Sequence, residues 1–124
     1  MLVWSPKDPD DVDDRDHDWT MRLYDEDELA QYNDAIAADP SKADDVPSTV
    51  VIPSDTISTS SFILPSQVGS ANPLVADSTS NSTTRSKIWL SGGVDGERYE
   101  IVNRIVTAGG RELDQTIRLK VKTR

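Results

Sequence analysis

From Val50 onward, short β-branched and apolar runs alternate with Ser, Gly, Pro and Asn, a texture that predicts strands joined by turns. The candidate runs cover residues 50–52, 56–64, 74–76, 87–90, 99–107 and 116–122. The last has the clearest period of two. Ile117, Leu119 and Val121 share one face and Thr116, Arg118, Lys120 and Lys122 the other, as in a strand with one wet face. Ala108-Gly109-Gly110-Arg111 can adopt positive φ, so a hairpin is expected between the last two runs. Upstream, Leu29, Tyr32 and Ile36 recur at helical spacing behind an acidic first turn and ahead of Pro40, which predicts a short helix over 26–38. Residues 41–49, with Pro47, read as a linker. The pattern predicts an all-β fold: a small antiparallel β-sandwich over 50–124, preceded by an inserted helix and linker at 24–49 and a distinct N-terminal segment at 1–23.

That N-terminal segment carries Trp4 and Trp19 on either side of a dense acidic run. Pro6, Pro9 and the acidity exclude a regular helix start, so the segment is expected to be an extended arm or a first strand. Indoles are enriched at interfaces and costly to leave in water. The two tryptophans are therefore expected to dock on the chain's own domain or on a neighbour. The candidate interface comprises Trp4, Pro6, Asp8, Pro9, Asp10, Asp18 and Trp19.

With 124 residues, one hydrophobic core is expected. The 35% hydrophobic fraction implies that part of the chain packs no core. The absence of cysteine removes disulfides, thiolate metal sites and cysteine nucleophiles, and a single histidine removes multi-histidine sites. A formal charge of −9 argues against general nucleic-acid or anionic-membrane binding. The charge is uneven: −11 over residues 1–53, −2 over 54–84 and +4 over 85–124. An acidic head and a basic tail suit contact between copies or with two different neighbours, and Arg118, Lys120 and Lys122 form the candidate basic face. No run approaches a membrane span, and the first residues lack signal-peptide regions, so a soluble chain that starts in the cytoplasm of the cell that makes it is expected.

Asp14, Asp16 and Asp18 alternate as in a calcium loop. However, the glycine and glutamate positions of that pattern hold Trp19 and Asp25, so a salt-bridging or solvated segment is the stronger reading. Ser91-Gly92-Gly93-Val94-Asp95-Gly96 lacks the Lys-Ser/Thr pair of a phosphate loop and reads as a structural turn at Gly92, Gly93 and Gly96. Tyr99, three residues on, suits a tyrosine corner that pins this turn. His17 is the one neutral-pH base, yet no nucleophile elbow accompanies it, and carboxylates paired for hydrolysis would need rigid supports. Neither enzymatic activity nor a cofactor or metal is expected.

Five motifs carry a resemblance: Trp4-x-Pro6-Lys7-Asp8-Pro9-Asp10-Asp11-Val12; Asp18-Trp19-Thr20; Asp55-Thr56-Ile57-x-Thr59-Ser60; Trp89-Leu90-Ser91-Gly92-Gly93-x-x-Gly96-x-x-Tyr99; and Asn103-x-Ile105-x-Thr107-x-Gly109-Gly110-Arg111. In this order they resemble a family of small bacteriophage structural proteins, the fibre-tail adaptors or neck and tail-associated virion proteins. The resemblance implies an immunoglobulin-like or fibronectin-like sandwich and a non-catalytic role. It also implies a place in the virion neck or tail, among portal, adaptor, tail or fibre proteins, in several ring-symmetric copies. In the family pattern, Asp-Trp-Thr-x-x-Leu runs almost directly into Asp-Thr-Ile. Here 31 residues, Tyr24 to Ser54, separate Leu23 from Asp55.

Two alternatives remain at this level. One is a capsid decoration or head-fibre protein, which copy number would distinguish. The other is a host-surface glycan or receptor module using the polar stretch 78–84 and the 92–97 connection.

Overall fold

In the computed structural model, residues 2–123 are described. The strands are β1 (Leu2–Val3), β2 (Asp13–Asp18), β3 (Ile57–Ile63), β4 (Val75–Asn81), β5 (Arg85–Ser91), β6 (Arg98–Thr107) and β7 (Glu112–Lys120). The helices are α1 (Thr20–Leu23), α2 (Glu26–Ala38) and α3 (Pro47–Val50), with a 3-10 turn at Pro40–Asp44. One sheet runs β1-β7-β6-β3 and the other β2-β5-β4. Every pairing is antiparallel except the short parallel contact of β1 with β7. The fold is an all-β sandwich.

Strand periodicity builds the core. Along β6, Tyr99, Ile101, Asn103, Ile105 and Thr107 are buried, and Ile117, Leu119 and Val121 face them from β7 and its continuation. The opposite sheet contributes Ile88 and Leu90 of β5, packed with Leu74. A second cluster of Trp19, Leu23, Ile57 and Ile105 fills the other end.

Three segments differ from the sequence-based expectation. Residues 50–52 form no strand, because Pro47 at the first helical turn starts α3 and the chain then bends away. The polar stretch at 78–84, outside the expected strand at 74–76, continues β4 as far as Asn81, since pairing with β5 supplies the order that its side chains do not. The final strand begins at Glu112, four residues early, because β6 templates it over its full length. Of the two readings of residues 1–23, the strand is the one observed: β2 pairs with β5 from Asp13↔Leu90 to Asp18↔Arg85. The sandwich therefore draws its strands from both sides of the 24–54 excursion.

Candidate interaction surfaces

Trp19 is fully buried in the chain's own core. Its indole N–H lies 2.8 Å from Asn103 Oδ1 and 3.0 Å from Ser86 Oγ, shared between the two acceptors. Asn103 Nδ2 donates to Ser60 Oγ (3.1 Å) and to the Ser61 carbonyl (3.0 Å), and the Ser60 and Ser86 hydroxyls are 3.0 Å apart. Trp19, Ser86 and Asn103 have no exposed surface, and the network satisfies every polar group that the indole drags inside. His17 packs edge-on against the indole at 4.9 Å, and burial lowers its pKa from 6.5. Arg22 covers the ring from outside at 5.2 Å. This placement removes Trp19 from the surface that a partner could reach.

Trp4 is half-buried. It packs on Phe62 at 6.4 Å beside the first core cluster, donates its N–H to the Asp16 carbonyl (3.2 Å), and its backbone N–H bonds the Arg118 carbonyl (3.0 Å). Asp18 stabilises the turn into α1 through the Thr20 N–H (2.9 Å) and hydroxyl (2.6 Å). Asp8 accepts from the Asp10 N–H (2.9 Å), while the Pro6 carbonyl accepts from the Arg15 guanidinium (3.2 Å). Pro9 is half-buried, and Asp10 is exposed. The segment is thus held by its own domain at most of its length.

Its anchor is Lys7, which the sequence reading did not single out. The residue is wholly buried, and its ammonium donates to the carbonyls of Gly92 (2.8 Å) and Asp8 (2.7 Å). Burial lowers its pKa below 10.5 against the opposing pull of Asp13, Asp11 and Asp8. The glycine-rich turn that supplies the Gly92 carbonyl is itself closely packed. A Cβ on Gly92 (φ +73°) would meet the Pro73 carbonyl oxygen at 2.2 Å, and one on Gly93 (φ +100°) would meet Val121 Cγ2 at 2.7 Å. Gly96 also has positive φ, and the Tyr99 hydroxyl accepts from the Val94 N–H (2.9 Å) across the same turn.

The opposite end of β6 carries a second clamp. Asp55 accepts from the Gly109 N–H (2.9 Å), the Thr56 N–H (3.0 Å) and the Arg111 guanidinium (2.9 Å). Burial alone would raise its pKa, but these bonds outweigh it and hold the carboxyl below 3.8. Arg111 also donates to the carbonyls of Leu23 (2.9 Å) and Arg22 (3.2 Å). One guanidinium therefore bridges the chain entering the excursion and the chain leaving it.

The excursion closes on itself. Asp25 and Glu28 form a reciprocal capping box at the start of α2, and Glu28 also accepts from the Ser54 N–H (2.7 Å). The Tyr24 hydroxyl lies 2.9 Å from the Pro47 carbonyl and 2.8 Å from that of Val51, and burial raises its pKa above 10.0. No residue of α2 is buried.

On the outer face of the three-stranded sheet, Asp14, Asp16 and Asp18 project side by side. Asp14 pairs with Lys87 (3.1 Å), and both Asp16 and Asp18 pair with Arg85 (3.3 and 3.4 Å). The hydrogen bond from Lys87 holds Asp14 below 3.8. Their alternate spacing is the period of a strand edge tied to its neighbour. On the other sheet, Arg118 pairs with Glu100 (3.2 Å), so the expected basic face is divided: Arg118 is neutralised, while Lys120 and Lys122 project beyond it.

The chain is a small β-sandwich whose charged and glycine motifs serve as clamps, with one acidic appendage. The chain belongs to the family described as podophage GP4 fiber-tail adaptor protein gp77, which it matches over residues 47–120, more than half its length. The matched region takes in Asp55, the Gly92 turn, Asn103 and Arg111, and excludes Trp4, Lys7 and Trp19. Among curated proteins, none matches the chain.

Proposed function

We propose that this chain is a structural component of a podophage virion, joining the tail or portal-proximal rings to fibres or neighbouring rings through protein–protein contacts. The family match over residues 47–120 carries the reading. Its supports are the sandwich, tied by a clamp at each end, and the acidic appendage that leaves the body at one end. A rigid body presenting different surfaces at its two ends suits a connector, which must hold two neighbours at a fixed separation. The protein would be made in the bacterial cytoplasm and incorporated during tail assembly.

Peptide mass spectrometry and a density reconstruction of purified particles test this. Density for the sandwich at the tail, in a few to about a dozen copies, is the expected result for a closed ring. Absence from particles would overturn the proposal, and hundreds of copies over the capsid would favour decoration instead.

A further inference from the structure

Most cations on the outer faces of the two sheets have a carboxylate partner: Arg85, Lys87, Arg104 and Arg118 all do. Arg98, Lys120 and Lys122 have none among the described residues, and they gather at one end. Arg98 and Lys120 are register partners across β6 and β7, a like-charge pair that disfavours the sheet unless an anionic group lies over it. Asp95 and Glu97, close in sequence, make no ion pair with them, and Asp95 instead accepts from the Thr123 N–H (2.8 Å).

The largest group of acids without an ion pair among the described residues lies in the excursion at the other end, while Asp10, Asp11, Asp77, Asp95 and Glu97 lie outside it. Residues 24–54 hold eight Asp/Glu and one Lys, so this excursion alone accounts for −7 of the chain's −9. Asp27 and Asp34, seven residues apart, share one exposed stripe of α2 with Gln31, and Glu26 flanks it. None of these three acids forms an ion pair among the described residues. The ten residues of β6 separate the two ends by about 30 Å, so the helix does not reach the basic end of its own chain.

We propose that the acidic stripe of α2 docks on the Arg98–Lys120–Lys122 end of a second copy of this chain. The contact is head-to-tail, so repeating it generates a ring if the rotation closes and a filament if it does not. Its occupant is a copy of the chain because the complementary charge is already present at the opposite end of the same molecule. The inference deepens the adaptor reading and rests on it, but its test uses the purified chain alone. Failure would therefore leave incorporation into particles as a separate question.

Sedimentation velocity at low and high salt supplies the readout. The wild-type chain should self-associate at low salt, with an association constant falling about tenfold or more at high salt as screening grows. A basic-end variant, Arg98→Glu with Lys120→Glu and Lys122→Glu, should remain monomeric. So should a helix variant, Glu26→Lys with Asp27→Lys and Asp34→Lys. Mixing the two should restore association, because each supplies the charge that the other lost. A wild-type chain that is monomeric at low salt overturns the proposal, as does either variant associating normally, or a mixture of folded variants that stays monomeric. Thermal melts report folding. If the basic-end variant does not fold, the helix variant decides alone, since α2 buries nothing in the sandwich.

Discussion

Residues 2–23 and 24–54 are both acidic, yet the domain treats them oppositely. The first segment buries Trp19 and Lys7 completely and contributes β2 to a sheet. The second buries no residue of its longest helix. Net charge therefore does not distinguish core from appendage here. Two anchoring side chains with fully satisfied polar groups do, because the energy of burying a large ring is retained only if its N–H finds an acceptor. The excursion has anchors only at its stem, where Tyr24, Glu28 and Arg111 tie its ends together.

If this contrast holds, Trp19→Ala should cost about 3–5 kcal/mol in denaturant unfolding, the range for truncating a buried aromatic. A loss under about 1 kcal/mol would return residues 2–23 to the status of a detachable arm. Gly92→Ala should follow at roughly 2–4 kcal/mol, combining strain at positive φ with a clash against Pro73.

Lys7→Met sharpens the comparison through pH. In the folded chain Lys7 binds its proton less tightly than in the unfolded chain, which raises stability as pH climbs from the folded value towards 10.5. The variant should lose that rise. Tyr24 works in the opposite sense above pH 10.0, because its folded pKa is raised and the unfolded chain releases its proton first. The scan is therefore best read below that point.

Arg111→Ala should cost about 1 kcal/mol, since the side chain is 42% exposed and screened by solvent. The share contributed by Asp55 is present above pH 3.8 and is lost as pH falls through its lower folded value. The smallest effect is expected from replacing residues 25–53 with about four Gly/Ser residues. Arg111 already holds both ends of this segment, so the unfolding free energy should change by about 1 kcal/mol or less. Loss of a cooperative melt would show that the excursion belongs to the core.

Sequence periodicity was informative where one face is apolar. Ile117, Leu119 and Val121 stand where their alternation places them, and α2 covers the span that Leu29, Tyr32, Ile36 and Pro40 delimit. It was silent for β4, where Ser78–Asn81 have no apolar residue to mark a face, and for β2, whose Asp-Asp-Arg-Asp-His-Asp pattern reads as solvated until Arg85 and Lys87 are placed beside it. The β-branched run Val50-Val51-Ile52 misled because propensity yields to Pro47 and to the absence of a partner strand. Lys7 went unnoticed because a lysine among aspartates ordinarily faces water. The available signal was its position between two prolines, Pro6 and Pro9.

The parallel contact of β1 with β7 joins Leu2 to Ile117 and Val3 to Arg118, and Lys7 bridges to Val121. During synthesis, the earliest of these residues must therefore wait for nearly the last before the four-stranded sheet is complete. A ribosome stalled before Glu112 would carry a chain in which Trp4 and Lys7 lack their backbone partners Arg118 and Lys120. Folding is thus coupled to translation through at least Val121, and high sequence separation between partners makes closure slow compared with helix formation. A fragment lacking β7 would leave β1 and β6 without the strand that lies between them.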